Sequence, residues 1–312
     1  MAINYFFYQK YLHRLLQKAV KESDTTLTHK DLRRMRFFSI FIPVMLGYGF
    51  GLLRQKKMNR KERRLMMNFS AATPIFDDFF DDKNLQVNHL QMIFSAQENY
   101  QPQNSKEKIF QKILFATQPK IVFTQKILNQ CMQVFIAQQA AQQQTLAITL
   151  PKEKLRTISF AKCSQSTILF WSLLHEQYTD AEKAVIIQQG HLIQLTDDVF
   201  DLWFDIQEGI QTLATNTHSV VELENDFYHE WNQLKKAVAA LPIAQRYKTQ
   251  FLSLQWFFFS RALVALEQLK KLELPNKKFM PANFTRRQLV CDMEKWSNRI
   301  KWVKYFAGKN YK

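Results

Sequence analysis

The chain predicts an all-α fold, and three observations carry that prediction. Of 312 residues only 6 are Gly and 8 are Pro, about 2–3% each and below ordinary usage. Sandwiches and barrels need many tight turns, so this scarcity favours long helices. Apolar residues make up 46% of the chain, including 27 Phe, which is enough for a large core and excludes a disordered chain. Long stretches also place apolar residues at helical spacing on more than one face, the pattern of helices inside a bundle. There is no internal repeat, Gly/Ser linker or composition break. Residues 1–312 are therefore expected as one large helical domain, with a basic segment 1–64 and a basic tail 299–312 included.

Each element has its own signal. Residues 37–53 are 17 residues without a charge between Arg36 and Arg54. That length is at the lower limit for a membrane span, and the stretch holds Pro43, Gly47, Gly49 and Gly51. A buried central helix is the expectation, ahead of a membrane-touching surface or a span. Residues 99–105 are polar and read as a loop. The Gln/Ala tract 138–144 reads as a helix end or surface loop. Pro151 and Pro242 mark helix starts, because Pro suits the first turn. Thr179 or Asp180 caps a long helix reaching about Leu213. Residues 220–240 and 243–272 are two further long helices, and 273–284 form a loop before a last helix.

The net charge of +16 is uneven. Residues 1–64 carry 15 Lys/Arg against four Asp/Glu, residues 299–312 carry five against none, and 65–298 are balanced. Such ends imply an anionic ligand or surface. Cys131, Cys163 and Cys291 are odd in number and far apart. They read as reduced thiols in a cytoplasmic protein, without a zinc site or disulfide framework.

Two acidic clusters carry the chemistry. The first is Pro74-Ile75-Phe76-Asp77-Asp78-Phe79-Phe80-Asp81-Asp82. On a helix Asp77 and Asp81 share one face, and Asp78 and Asp82 another. Like charges at that spacing repel by about 0.2–0.5 kcal/mol per pair, and aromatic surroundings raise the cost of each charge. In the second cluster Asp197, Asp201 and Asp205 fall at i, i+4 and i+8, one stripe rising about 6 Å per step. A compensating cation would remove both penalties. Carboxylates suit Mg²⁺, or Mn²⁺ in its place, and Mg²⁺ prefers to share its sphere with phosphates. The metal candidates are Asp77, Asp78, Asp81, Asp197, Asp201 and Asp205. A ligand with a diphosphate head and a hydrocarbon tail fits acid stripes set above a phenylalanine-lined apolar cavity.

These residues resemble the class I isoprenoid synthases, the all-α superfamily of prenyl diphosphate synthases, squalene and phytoene synthases and terpene cyclases. Asp77-Asp78-Phe79-Phe80-Asp81 matches the DDxxD motif. Gln194, Asp197, Asp198 and Asp201 match the QxxDDxxD of trans-prenyl diphosphate synthases. Gln194-Leu195-Thr196 with Asp201 and Asp205 resembles the phytoene synthase motif, except that Asp197 stands where that family has Asn and Phe200 where it has Arg. Asp197, Asp198, Asp201 and Asp205 sit on the second cyclase motif, with Asp201 for Ser/Thr and Asp205 for Glu. No Arg-Arg pair follows the first motif, unlike in chain-elongating synthases. The resemblance implies a single helical bundle around a central apolar cavity. It also makes Arg156 and Lys162 candidates to bind diphosphate, and Lys304-Tyr305 the counterpart of a site-closing Arg-Tyr pair.

The resemblance implies a Mg²⁺-dependent terpene synthase acting on a farnesyl- or geranylgeranyl-class diphosphate. Asp77, Asp81, Asp197 and Asp201 would be catalytic through the metal. Gln194, Phe76, Phe170 and Trp203 would contact substrate, with Phe79, Trp171 and Phe204 as further aromatics to steady a carbocation. Head-to-head condensation and chain elongation are the enzymatic alternatives. A basic helical protein that binds RNA or an anionic membrane is the non-enzymatic one. Acidic stripes repel nucleic acid, so no nucleic-acid partner is expected. Peripheral membrane contact and a homodimer fit the enzyme reading.

Overall fold

The computed structural model describes residues 10–11, 13–18, 21, 27–81, 89, 92–93, 100–115, 125–175, 177–273 and 278–308, and only the backbone of Phe80, Asp81 and Phe115. Among the described residues the protein is all-α, 78% helix, with no strand. An isolated bridge joins Thr145 and Ile210. The chain groups into two compact units: Met1–Phe135 with Leu169–Gln177, and Ile136–Ile168 with Tyr178–Lys312.

In the first unit, α1 (His29–Ile42) starts from Thr28, whose side chain and Asp31 form a capping box. It runs into a π-helical turn, Pro43–Gly47, and then α2 (Tyr48–Leu53). The stretch His29–Leu53 is long and apolar enough to cross a membrane by length and composition, with mean hydropathy 1.6, but 56% of its apolar window is buried within the protein. Helix α3 (Arg60–Asp81) packs on α1 and on α4 (Ser105–Phe115). Phe76 and Phe79 both lean on Phe110, at 6.2 and 5.4 Å. Trp171 is fully buried against Phe50 at 5.0 Å.

The next helices are α5 (Gln125–Ala141), α6 (Lys152–Ser172) and α7 (Asp180–Glu208). They are followed by α8 (Val220–Ala239), α9 (Gln245–Phe259), α10 (Arg261–Glu273), α11 (Arg286–Leu289) and α12 (Trp296–Ala307). Helix α7 is the core element of the second unit, contacted by α8, α9, α10 and α11. Thr179 caps it, with Glu182 completing the box. It ends at Glu208 rather than near Leu213, because Gly209 takes the left-handed conformation (φ 71°) and turns the chain.

Two other boundaries differ from expectation, as does the burial of one residue. The helix expected over 243–272 is two, α9 and α10, parted at Ser260 without Pro or Gly. The last helix is α11 and α12 with a turn between. The tract 138–144 does end α5, yet Gln144 is buried and not a surface residue. Its amide donates to Ser159 Oγ and to the Gln211 carbonyl, both at 2.8 Å.

Candidate functional site

The second acidic cluster lies on the last three turns of α7. Gly190 sets the helix close to α6: a Cβ there would stand 2.5 Å from Ser164 Cα and 2.7 Å from its backbone nitrogen. Ser164 Oγ donates to the Ile187 carbonyl at 3.2 Å across the same crossing. This approach brings Lys162 of α6 into the field of the aspartates: its charge acts on Asp197, Asp198, Asp201 and Asp205. Arg261, the first residue of α10, acts on Asp197 and Asp201 and stands over the Phe200 ring at 5.3 Å. Arg286 of α11 stands 5.7 Å over both Trp203 and Phe204.

The acids differ in role. Asp198 is buried, accepts from Gln194 Nε2 at 2.7 Å and from the Leu213 backbone N–H at 3.3 Å. It anchors the loop that follows α7. Asp197 and Asp201 are exposed to solvent, yet protein surrounds them closely enough that burial dominates their titration. Burial and the neighbouring carboxylates raise Asp201 to about 6 and Asp205 to about 8. Asp197 is also raised, chiefly by burial, against the pull of Lys162 and Arg261. Asp198 is raised to about 7, burial again leading. Burial lowers Arg261, opposed by Asp197 and Asp201. The charged form of each group is thus disfavoured by its surroundings, a condition common at binding and catalytic sites.

Buried Gln194 Oε1 and Thr196 Oγ1 have no hydrogen-bond partner. The backbone beyond α7 is firmly held: Gln211 N–H donates to the Gln144 carbonyl at 2.9 Å, and Leu146 N–H to the Gly209 carbonyl at 2.8 Å.

In the first unit, Asp77 and Asp78 are half-buried near the end of α3. Asp78 pairs with Arg34 at 3.0 Å and Lys106 at 3.1 Å. The Asp81 side chain and all of Asp82 lie outside the described residues. Phe76, Phe79, Phe170 and Trp171 are buried core.

The other cations expected from the sequence lie elsewhere. Arg156 is bound to Asp226 at 3.0 Å and, closely, to Glu230, which His191 also contacts at 2.9 Å. Lys304 and Tyr305 part company on α12. Lys304 is exposed, whereas Tyr305 turns inward and donates to Glu267 at 3.2 Å. Reading the sequence missed Arg261. Its signal is there: a lone cation between Trp256-Phe257-Phe258-Phe259 and Ala262-Leu263-Val264-Ala265-Leu266 needs an anion.

Among the described residues no group of three or more His, Cys, Asp or Glu could hold a metal ion by itself. The donor chemistry suits a hard dication where one or two carboxylates share the ion with phosphate, the habit of Mg²⁺. Burial raises Asp201 and Asp205 most, their mutual repulsion adds to it, and a bound dication would relieve both by favouring the charged forms. Compared with protein-family models, curated proteins and solved structures, the chain matches none.

Proposed function

We propose that the protein is a class I terpene synthase that ionises a prenyl diphosphate in a helical bundle of that superfamily's type. The observation that carries the reading is the acidic stripe of α7, where Asp197, Asp201 and Asp205 feel the charge of Lys162, and Asp197 and Asp201 that of Arg261 as well. Burial and crowding of like charge hold Asp201 and Asp205 above ordinary carboxylate values, which a bound cation would offset. Carboxylates beside Lys and Arg can share a cation-bridged diphosphate, with the two basic side chains on the remaining phosphate oxygens.

Asp197, Asp201 and Asp205 would hold Mg²⁺, with Asp77 and Asp81 given the matching role by the resemblance. When bound, the ion supplies Lewis-acid neutralisation of the leaving group. Lys162 and Arg261 bind the diphosphate oxygens and stabilise the negative charge that grows as the C–O bond breaks. Arg261 also sets a guanidinium over Phe200, the position where phytoene synthases carry Arg. Trp203 and Phe204 offer ring faces to a cation, and Arg286 already occupies that place. Head-to-head condensation is the second reading, favoured by Gln194-Leu195-Thr196.

The test supplies geranyl, farnesyl and geranylgeranyl diphosphate, each alone with Mg²⁺, and analyses the organic extract by mass spectrometry. A single-chain hydrocarbon or alcohol is expected. A product of doubled carbon number would move the assignment to condensation. No product from any of the three would contradict the single-substrate reading.

A further inference from the structure

Helix α12 has two unlike faces. The inner one is tied down: Lys301 Nζ meets Glu267 at 2.6 Å, Trp302 Nε1 donates to the Phe257 carbonyl at 2.8 Å, and Phe257 packs on Trp302 and Phe306 at 4.6 and 5.5 Å. The Tyr305 carbonyl accepts from Trp256 Nε1 at 3.1 Å. The outer face carries Trp296, Ile300 and Val303, exposed by 75%, 54% and 61%. These residues stand at i, i+4 and i+7, a single stripe along the helix. Lys295, Arg299 and Lys304, all exposed, border it, and Arg299 lies over the Trp296 ring at 5.3 Å. No acidic residue occurs from Lys295 to the end of the chain.

We propose that this face of α12 is a docking surface for an anionic membrane. A helix held in place from behind, with an aromatic and two branched aliphatics outward and cations on both flanks, has the layout of an interfacial helix. Charge complementarity selects the partner. A second copy would bring Lys295, Arg299 and Lys304 against their own kind. A polynucleotide would meet the cations and could stack a base on Trp296, but would leave the aliphatic Ile300 and Val303 uncovered. An anionic bilayer meets both: headgroups attract the basic flanks, and the acyl boundary takes up Trp296, Ile300 and Val303. This inference does not depend on the proposed activity, since the three apolar residues lie outside the acidic site.

The test is co-sedimentation of the full chain with phosphatidylcholine vesicles, with and without about one-third phosphatidylglycerol. Binding is expected on the anionic vesicles and to weaken with salt. The triple variant Trp296→Ser/Ile300→Ser/Val303→Ser should bind them at least about 10-fold more weakly, and Lys295→Glu/Arg299→Glu should lose the preference for anionic lipid. Brominated acyl chains should quench wild-type tryptophan emission more than that of Trp296→Phe. Melting temperature checks that each variant is folded. Turnover of water-soluble geranyl diphosphate, if the protein has it, should be unchanged in the triple variant. Failure of the wild type to bind either vesicle overturns the proposal. So does equal binding by the folded triple variant, or concentration-dependent dimerisation that the triple variant abolishes without any vesicle binding.

Discussion

Asp205 holds its proton to about pH 8 because burial and the charges of Asp198, Asp201 and Asp197 oppose ionisation. Its unfolded value lies near 3.9. The unfolded chain therefore releases this proton first, and the stability that the retained proton contributes is lost as pH rises from about 4 to 8. Asp205→Asn should remove that loss and raise the melting temperature at pH 8 by about 2 °C or more, with little difference near pH 4. Added Mg²⁺ should stabilise the wild type at pH 8 and stabilise Asp205→Asn less. A melting temperature that falls in Asp205→Asn at pH 8 would contradict the charge-repulsion account. The stripe was legible in the residues, since spacing alone puts 197, 201 and 205 on one face. Their division of labour was not. Nothing in the string marks Asp198 as the anchor of Leu213, or Arg261 as the cation opposite Asp197, because both depend on which loop and helix return to α7.

At the scale of elements, local chemistry foretold starts better than stops. Thr179 with Glu182 is a capping box readable from four residues, and Pro151 directly precedes α6. The stop at Gly209 was written in the sequence too, but the apolar residues to Leu213 continued the helical pattern past it. The break at Ser260 had no local sign. Ser260 keeps a helical φ of −59° and its N–H still reaches the Trp256 carbonyl, so only tertiary packing redirects α10. Thr179→Ala should cost about 1 kcal/mol, read as a lower melting temperature with the helical signal kept. Gly190→Ala is the sharper test. Alanine gains roughly 1 kcal/mol of helix propensity, but its Cβ meets the Ser164 backbone at 2.5 Å. Overpacking of about 1–3 kcal/mol should win, and the displaced Lys162 should lower activity as well. A Gly190→Ala protein more stable than wild type would show that α6 and α7 are not in close contact there.

For the whole molecule, composition was enough for the all-α class. The grouping into two compact units was not legible, because one of them takes its chain from two separate stretches, Met1–Phe135 and Leu169–Gln177. A discontinuous unit leaves no linker for composition to reveal. The basic tail 299–312 read from the sequence includes most of α12. The central claim is that the α7 carboxylates serve diphosphate ionisation rather than stability. It is tested most directly by Mg²⁺-dependent release of inorganic diphosphate from farnesyl and geranylgeranyl diphosphate, comparing wild type with Asp201→Asn. Release that chelation abolishes is expected, with a loss of about 100-fold or more in the variant, the cost of about 3 kcal/mol of transition-state stabilisation. Release at the wild-type rate from a folded Asp201→Asn protein would contradict it.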